Sequence, residues 1–297
     1  MEQTQDHSFC LSKSQKDSFE NDGFLIIDDI IADKQLIQTI RERIKPLFAG
    51  DFTTGIFPDE WYGRPGLSKE DITKEMVNAW KSDHNIARLV LSEKLGKLAA
   101  DLMGWTGARI AQDDIFWKPV SGKPIGFHQD QPYMSFFNPS QVVTVWIAIT
   151  DVSKENGTLE YALGSHKWTH DSTLKDQFHA PTDYMYTLVN AAHKQGIESP
   201  VIVPVETKSG GCSVHHGKTY HGSATNPSES RERISIAIHY LPSECEFLSD
   251  KPAGYIYGRY KIHNSTTMDE TFFPITYTQS GYRSPCINDF IKDPLSK

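Results

Sequence analysis

The sequence predicts a mainly β protein with flanking helices, a sandwich or jelly roll, and three observations predict it. Residues 12–48 carry a helical period on either side of one short apolar run; residues 109–240 hold a series of short β-like runs punctuated by Gly, Pro, Asn and Ser; and no window approaches the roughly 18 consecutive apolar residues of a membrane span. Taken in order, Ser12 stands as an N-cap before a helix carrying Phe19. Phe24-Leu25-Ile26-Ile27 reads as a strand, and Leu36, Ile37, Ile40 and Ile44 mark a second helix. Residues 50–66, rich in glycine, proline and aromatics, read as a pocket-lining loop, with residues 52–68 as a lid that excludes water, and residues 87–103 as a third helix.

From Arg109 the pattern turns to β: Ile115-Phe116-Trp117, then residues 142–149, 201–205, 213–216 and 234–240. The polar stretch 167–200, with His170, His179 and His193, reads as an insertion between strands. Residues 244–297 are aromatic yet polar, and two readings stand for them: a tail packed on the outside of the jelly roll, or a wall of the substrate pocket. The expected organisation is one domain over 1–297, with N-terminal helices and pocket loop at 1–108, the β core at 109–243 and the aromatic extension at 244–297.

The bulk numbers narrow the function classes. A chain of 297 residues that is 38% hydrophobic and 23% charged has the composition of a globular protein. Lys plus Arg number 30 against 38 Asp plus Glu, a net charge of -8 with no basic cluster, so nucleic acid is not an expected partner. The first ten residues lack a basic region followed by an apolar run, which places the chain in the cytoplasm as a soluble protein. Cys10, Cys212, Cys245 and Cys286 form no CxxC pair, so neither a zinc ribbon nor a disulfide framework is expected.

His128 and Asp130 sit at i and i+2, which on an extended strand sends both side chains to one face. Alone the pair is weak, because 12 histidines give roughly one such match by chance. A third ligand would complete the two-histidine, one-carboxylate facial triad, which leaves positions of an iron(II) ion open for oxygen chemistry. His215, His216 and His221 are the candidates. His221 opens the polar loop His221-Gly222-Ser223-Ala224-Thr225-Asn226, from which it can turn back toward the mouth of the core; His215 and His216 are adjacent and face opposite ways, so one of them suits a supporting role behind the ligands. A carboxylate-bearing cosubstrate needs a cation, and Arg231 and Arg233 both follow His221 with the same strand parity.

Taken together, His128-Gln129-Asp130-Gln131-Pro132-Tyr133, Trp146-Ile147-Ala148 with Asp151 and Asn156-Gly157-Thr158-Leu159, Gly164-Ser165-His166, and the run from His216 to Tyr240 resemble the phytanoyl-CoA dioxygenase family of Fe(II)- and 2-oxoglutarate-dependent oxygenases. Asp22-Gly23-Phe24 resembles that family's opening strand. The resemblance implies a double-stranded β-helix (jelly roll, cupin-like) core, with His128, Asp130 and His221 as iron ligands. It also implies an arginine on the 2-oxoglutarate carboxylate, with Gln112 and Trp146 facing that cosubstrate. The family spacing falls between Arg231 and Arg233; Arg233 directly precedes the Ile-Ser-Ile-Ala-Ile-His-Tyr strand, as the family arginine does, and is chosen over Arg231. Fe(II), 2-oxoglutarate and O2 would then hydroxylate an unactivated C–H bond of a small molecule, a secondary-metabolite or amino-acid-like intermediate, releasing succinate and CO2. Asp130 occupies the position where related halogenases carry Gly or Ala, which disfavours halogenation. A non-catalytic jelly-roll module that binds a metal or a small molecule is the competing reading. The oligomeric state is not legible.

Overall fold

The computed structural model describes residues 10–169 and 177–292; His170 lies outside them. The helices are α1 (Lys13–Asp22), α2 (Lys34–Phe48), α3 (His84–Val90), α4 (Glu93–Met103), α5 (Tyr186–Lys194) and α6 (Ile287–Ile291). The first strands are β1 (Phe24–Ile27), β2 (Glu60–Tyr62), β3 (Lys74–Val77), β4 (Gly107–Lys118), β5 (Ile125–His128), β6 (Phe137–Asn138) and β7 (Val143–Ala148). They are followed by β8 (Glu160–Ala162), β9 (Ile202–Pro204), β10 (Cys212–His216), β11 (His221–Ser223), β12 (Arg233–Pro242), β13 (Glu246–Phe247) and β14 (Ile275–Thr278).

A major antiparallel sheet runs in the order β1-β10-β7-β12-β4-β3-β2, with β14 also paired to β4, and a minor sheet runs β5-β11-β8-β9. From β4 to β12 the chain crosses repeatedly between them: β4, β7, β10 and β12 belong to the major sheet, whereas β5, β8, β9 and β11 belong to the minor one. That alternation is the double-stranded β-helix the sequence predicts. The sheets face each other without closing into a barrel, and Tyr161 of β8 reaches across to stack on Phe24 of β1 at 4.6 Å.

Both faces of the major sheet are buried, and the two-residue period sorts them. On β12, Ile234, Ile236, Ile238 and Tyr240 join Val143, Val145 and Ile147 of β7 in one core with the apolar faces of α2, α3 and α4. The intervening residues, Trp146, Ala148 and Ala237, turn the other way and pack with Leu159 and Tyr161 beneath the minor sheet. Arg233 and His239 share that inward parity. The helices follow from ordinary end signals: Ser12 and Gln15 form a capping box at α1, and Asp33 and Asp83 cap α2 and α3.

The sequence expectations are borne out for α1, β1 and α2, and for the β runs, with several differences. Residues 87–103 are not one helix: α3 ends at Val90, Leu91 leaves the helical region and Ser92 opens α4. The loop at residues 50–66 contains β2, paired with β3, and the insertion at 167–200 contains α5. In the C-terminal extension, Tyr255 and Tyr257 line the cavity described below, so that part is a pocket wall. No helix among the described residues is long and apolar enough to cross a membrane.

Ile236 is fully buried against the helices, and Ile236→Ala is expected to cost about 2–5 kcal/mol of stability. Denaturant unfolding reads this as a lowered midpoint; a loss under about 0.5 kcal/mol, the range of surface changes, would show that this face is not the stabilising core.

Candidate active site

His128 ends β5 and His221 begins β11, and the two lie directly opposite each other in the minor sheet. Cross-strand partners approach closely, and the two imidazole centroids are 4.1 Å apart. The close approach depends on Gly222, where a Cβ would meet the Phe127 backbone at 3.0 Å. His221 is thus a strand residue rather than the loop residue its polar neighbours suggest. Asp130 also departs from the expected geometry: β5 stops at His128, and Asp130 is in the right-handed helical region at the head of a short 3-10 turn, Gln131–Met134. The turn still returns its carboxylate to the histidines. Asp130 Oδ1 lies 3.5 Å from His128 Nε2 and 3.4 Å from His221 Nε2, and the three donor atoms fall within 4.8 Å of one another.

The local hydrogen bonds leave these atoms free for a metal. His128 Nδ1 donates to the Gly126 carbonyl at 2.9 Å, and His221 Nδ1 donates to the Thr219 carbonyl at 3.0 Å. A carbonyl only accepts, so each ring carries its proton on Nδ1 and presents a bare Nε2 lone pair. Bonds of roughly 2.1 Å put adjacent ligands of an octahedral face roughly 3 Å apart, close to the separations seen. The donor set therefore fits a hexacoordinate divalent ion with open positions.

The other carboxylate oxygen is held from behind. Thr144 Oγ1 donates to Asp130 Oδ2 at 2.6 Å, and His215 Nε2 donates to it at 3.0 Å. His215 is in turn fixed by the Tyr161 hydroxyl, which donates to Nδ1 at 2.9 Å; this is the supporting role expected for one of the adjacent pair, while His216 points away. His239 Nδ1 donates to Thr144 Oγ1 at 2.8 Å, and its Nε2 pairs with Asp114 Oδ2 at 2.8 Å. Gln112 donates its amide to Asp114 at 2.9 Å and accepts from the Tyr257 hydroxyl at 2.6 Å.

Protonation follows from these contacts. Burial pushes Asp130 up, but the surrounding histidines overcome it and hold the carboxylate well below its usual range; of these, His239 carries the positive charge and His215 donates a hydrogen bond. Burial, reinforced by His128, keeps His221 neutral, and burial likewise lowers His215. His239 behaves oppositely: burial opposes its charge, yet Asp130 and Asp114 raise it to about 10, so it is an imidazolium that donates from both nitrogens.

The group opens on a cavity of about 500 Å³. Arg233, Gln112 and Trp146, the residues the resemblance assigns to the cosubstrate, all line it. The Arg233 guanidinium is 2% exposed, donates to the Gly157 carbonyl at 3.3 Å and the Ser235 hydroxyl at 2.8 Å, and lies 5.8 Å over Trp146. No carboxylate pairs with it among the described residues, and burial lowers its pKa to about 9. Arg231 instead sits outside, exposed and paired with Glu155. Their expected common parity fails because β12 begins only at Arg233, and Asn226 ties the Arg231 carbonyl into the preceding loop.

Sequence reasoning missed Thr144, His239, Asp114 and Lys118. Lys118 pairs with Arg233 in the β4–β12 register and donates to Ser223 Oγ at 2.7 Å. The inward parity of Gln112 on β4, carried forward, is the signal that marks Asp114 and Lys118. Phe178 and His179, from the insertion, also reach the cavity, and Phe178 meets the His128 ring at 4.7 Å. The aromatics Phe57 and Trp61 of the expected lid pack around Phe52 instead of lining the cavity, while Tyr62 stacks on His179 at 4.0 Å.

Comparison with known proteins gives a consistent result. The sequence profile described as phytanoyl-CoA dioxygenase (PhyH) matches residues 19–235. Phytanoyl-CoA dioxygenase domain-containing protein 1 of Danio rerio is 28% identical over 194 residues, 65% of this chain and 65% of that relative, a little under two thirds of its length. The peroxisomal phytanoyl-CoA dioxygenase of Homo sapiens is 24% identical over 259 residues, 81% of this chain and 71% of the relative. Among solved structures, the non-heme alpha ketoglutarate dependent carbocyclase SnoK from nogalamycin biosynthesis superposes with a TM-score of 0.67 at 21% identity, covering 89% of this chain and 96% of its own. EctD from S. alaskensis, with 2-oxoglutarate and 5-hydroxyectoine, superposes with a TM-score of 0.61 at 20% identity, covering 84% and 83%. At these identities the superpositions establish the shared fold.

Thr144→Val keeps the shape of the side chain and removes the hydroxyl that holds Asp130 Oδ2. Divalent-metal affinity is expected to fall about ten- to hundredfold in a competition titration; an unchanged affinity would detach this hydrogen-bond chain from the metal group.

Proposed function

The chain belongs to the phytanoyl-CoA dioxygenase family, and on that premise we propose that it is an Fe(II)- and 2-oxoglutarate-dependent dioxygenase that hydroxylates a C–H bond of a compact small molecule. In this reading His128, Asp130 and His221 hold the iron and Arg233 holds the distal carboxylate of 2-oxoglutarate. The observation that carries it is the convergence of two Nε2 atoms and one carboxylate oxygen on a cavity that is also lined by a buried arginine with no carboxylate partner among the described residues. A buried guanidinium left without an anion is costly, and a dicarboxylate supplies the missing charge in a planar, bidentate geometry.

When bound, iron and 2-oxoglutarate supply the oxidation: O2 is consumed, 2-oxoglutarate becomes succinate and CO2, and the second oxygen atom enters the substrate C–H bond as a hydroxyl group. The chain's own residues position and exclude. The Gly126 and Thr219 carbonyls fix the imidazole tautomers, and Thr144 with His215 keeps Oδ1 of Asp130 turned toward the metal. Trp146 forms a flat wall beside Arg233, Gln112 is locked by Asp114 and Tyr257 on the same cavity, and Phe178 covers His128 from the insertion. A cavity of about 500 Å³ that must also take 2-oxoglutarate suits a substrate of metabolite size, an amino-acid-like or secondary-metabolite intermediate.

Anaerobic addition of Fe(II) and then 2-oxoglutarate is expected to produce a weak visible charge-transfer band, and admission of air is expected to yield succinate. A wild-type protein that gives neither is not an oxygenase. His221→Ala should lose both signals, and full retention of them would remove His221 from the metal site.

Arg233→Gln is expected to raise the 2-oxoglutarate concentration for half-maximal signal by about 10- to 100-fold, the worth of a charged hydrogen-bond pair. Arg231→Ala should leave it near the wild-type value. The reverse pattern would transfer the anchor to Arg231.

A further inference from the structure

We propose that Glu75 recognises a positively charged nitrogen on the substrate, so that the molecule oxidised at this site is an amine held by its ammonium group. The oxidation rests on the oxygenase reading above; the amine recognition rests on the cavity itself.

Glu75 lies on β3, paired with Phe116 of β4, and its side chain lines the same cavity as His128, Asp130 and His221. The residue is 7% exposed. Its Oε2 faces His179 Nε2 at 2.9 Å, whereas among the described residues Oε1 has no hydrogen-bond partner and is not sealed within the protein. A carboxylate oxygen in this position is a vacant acceptor turned to the ligand space.

The charges around it show what it lacks. Asp114, the neighbouring acid, is balanced by the His239 imidazolium at 2.8 Å and receives the Gln112 amide as well. Among the described residues Glu75 has one such partner, His179, whose ring is stacked on Tyr62 at 4.0 Å. Burial raises the Glu75 pKa against the hydrogen bond from His179, and Asp114 adds to the rise. The surrounding walls are aromatic, with Phe116, Phe178, Tyr255 and Tyr257 on the cavity, and ring faces attract ammonium groups that have shed their water. A neutral hydroxyl could also satisfy Oε1, but a charged donor bonds a carboxylate more strongly.

The position also suits the chemistry. Phe178 packs edge-on to the His128 ring at 4.7 Å, and His179, the next residue, holds Glu75. An ammonium on Oε1 would therefore occupy the cavity that the metal group also lines, with the substrate carbons in the space they share.

The test uses matched probes on the protein loaded anaerobically with Fe(II) and 2-oxoglutarate, whose own binding is measured first. Primary amines from propylamine to 4-phenylbutylamine are titrated calorimetrically against the alcohols of equal length. Wild type is expected to bind the best amine about tenfold or more tightly than its alcohol, and Glu75→Gln, which keeps the shape and the contact to His179, to abolish the preference. Alcohols that match the amines in wild type, no amine binding at all, or a preference that survives in Glu75→Gln would each overturn the assignment. The wild-type comparison stands even where the variant does not fold. Failure of Fe(II) and 2-oxoglutarate to bind would count against the oxygenase reading alone, because the amine preference is measured by heat and not by turnover.

Discussion

Asp130 holds a negative charge at 5% exposure, and the need to stabilise that charge organises the interior between the two sheets. A carboxylate taken out of water is costly unless its oxygens are matched by donors or cations. Here one oxygen receives Thr144 and His215, and the other is left facing two imidazole lone pairs. Lone pairs do not satisfy a carboxylate, so three electron-rich atoms point at one another with no proton between them. That arrangement is unfavourable by itself and becomes favourable around a divalent cation. The same argument explains His239: it is charged although buried, because it stands between Asp114 and the Thr144 hydroxyl that serves Asp130.

The major sheet can carry this polar load because its two faces have separate tasks. Residues of one parity on β7 and β12 meet the helices and are aliphatic almost without exception; those of the other parity include Thr144, Trp146, Arg233 and His239. Burial of the first set provides the apolar area that stabilises the fold. The helices α2, α3 and α4 are therefore more than packaging: by burying one face of the sheet, they allow the opposite face to be polar, charged and directed at a ligand.

Local patterns were legible in the sequence to the extent that they depend on neighbours in the chain. Ser12 announces α1, the period of two marks β7, β10 and β12, and the His128-Gln129-Asp130 run with its flanking motifs points to the candidate metal group. What was not legible depends on register between strands. Nothing in the order of residues says that His221 lies opposite His128, that Lys118 lies opposite Arg233, or that Asp114 meets His239. At Asp130 the i, i+2 rule assumes an extended chain, whereas the carboxylate reaches the histidines through a turn. Arg231 fails for the related reason that parity has no meaning before the strand begins at Arg233.

The direction of β12 gives the cavity its polarity. Arg233 and His239 occupy inward positions six residues apart, about 20 Å along an extended strand at 3.3 Å per residue. Lys118 lies opposite the first and Gln112 opposite the second, with Asp114 at hand. Asp114 therefore belongs to the His239 end, whereas Glu75, opposite Phe116 and so level with Ser235, is separated from Arg233 across β4 rather than along β12. On the proposed reading the dianion goes to Arg233 on β12 and the cation to Glu75 on β3, two strands away in the same sheet, with His128, Asp130 and His221 lining the cavity they share. The strand register, rather than any single residue, thus assigns each reactant its side.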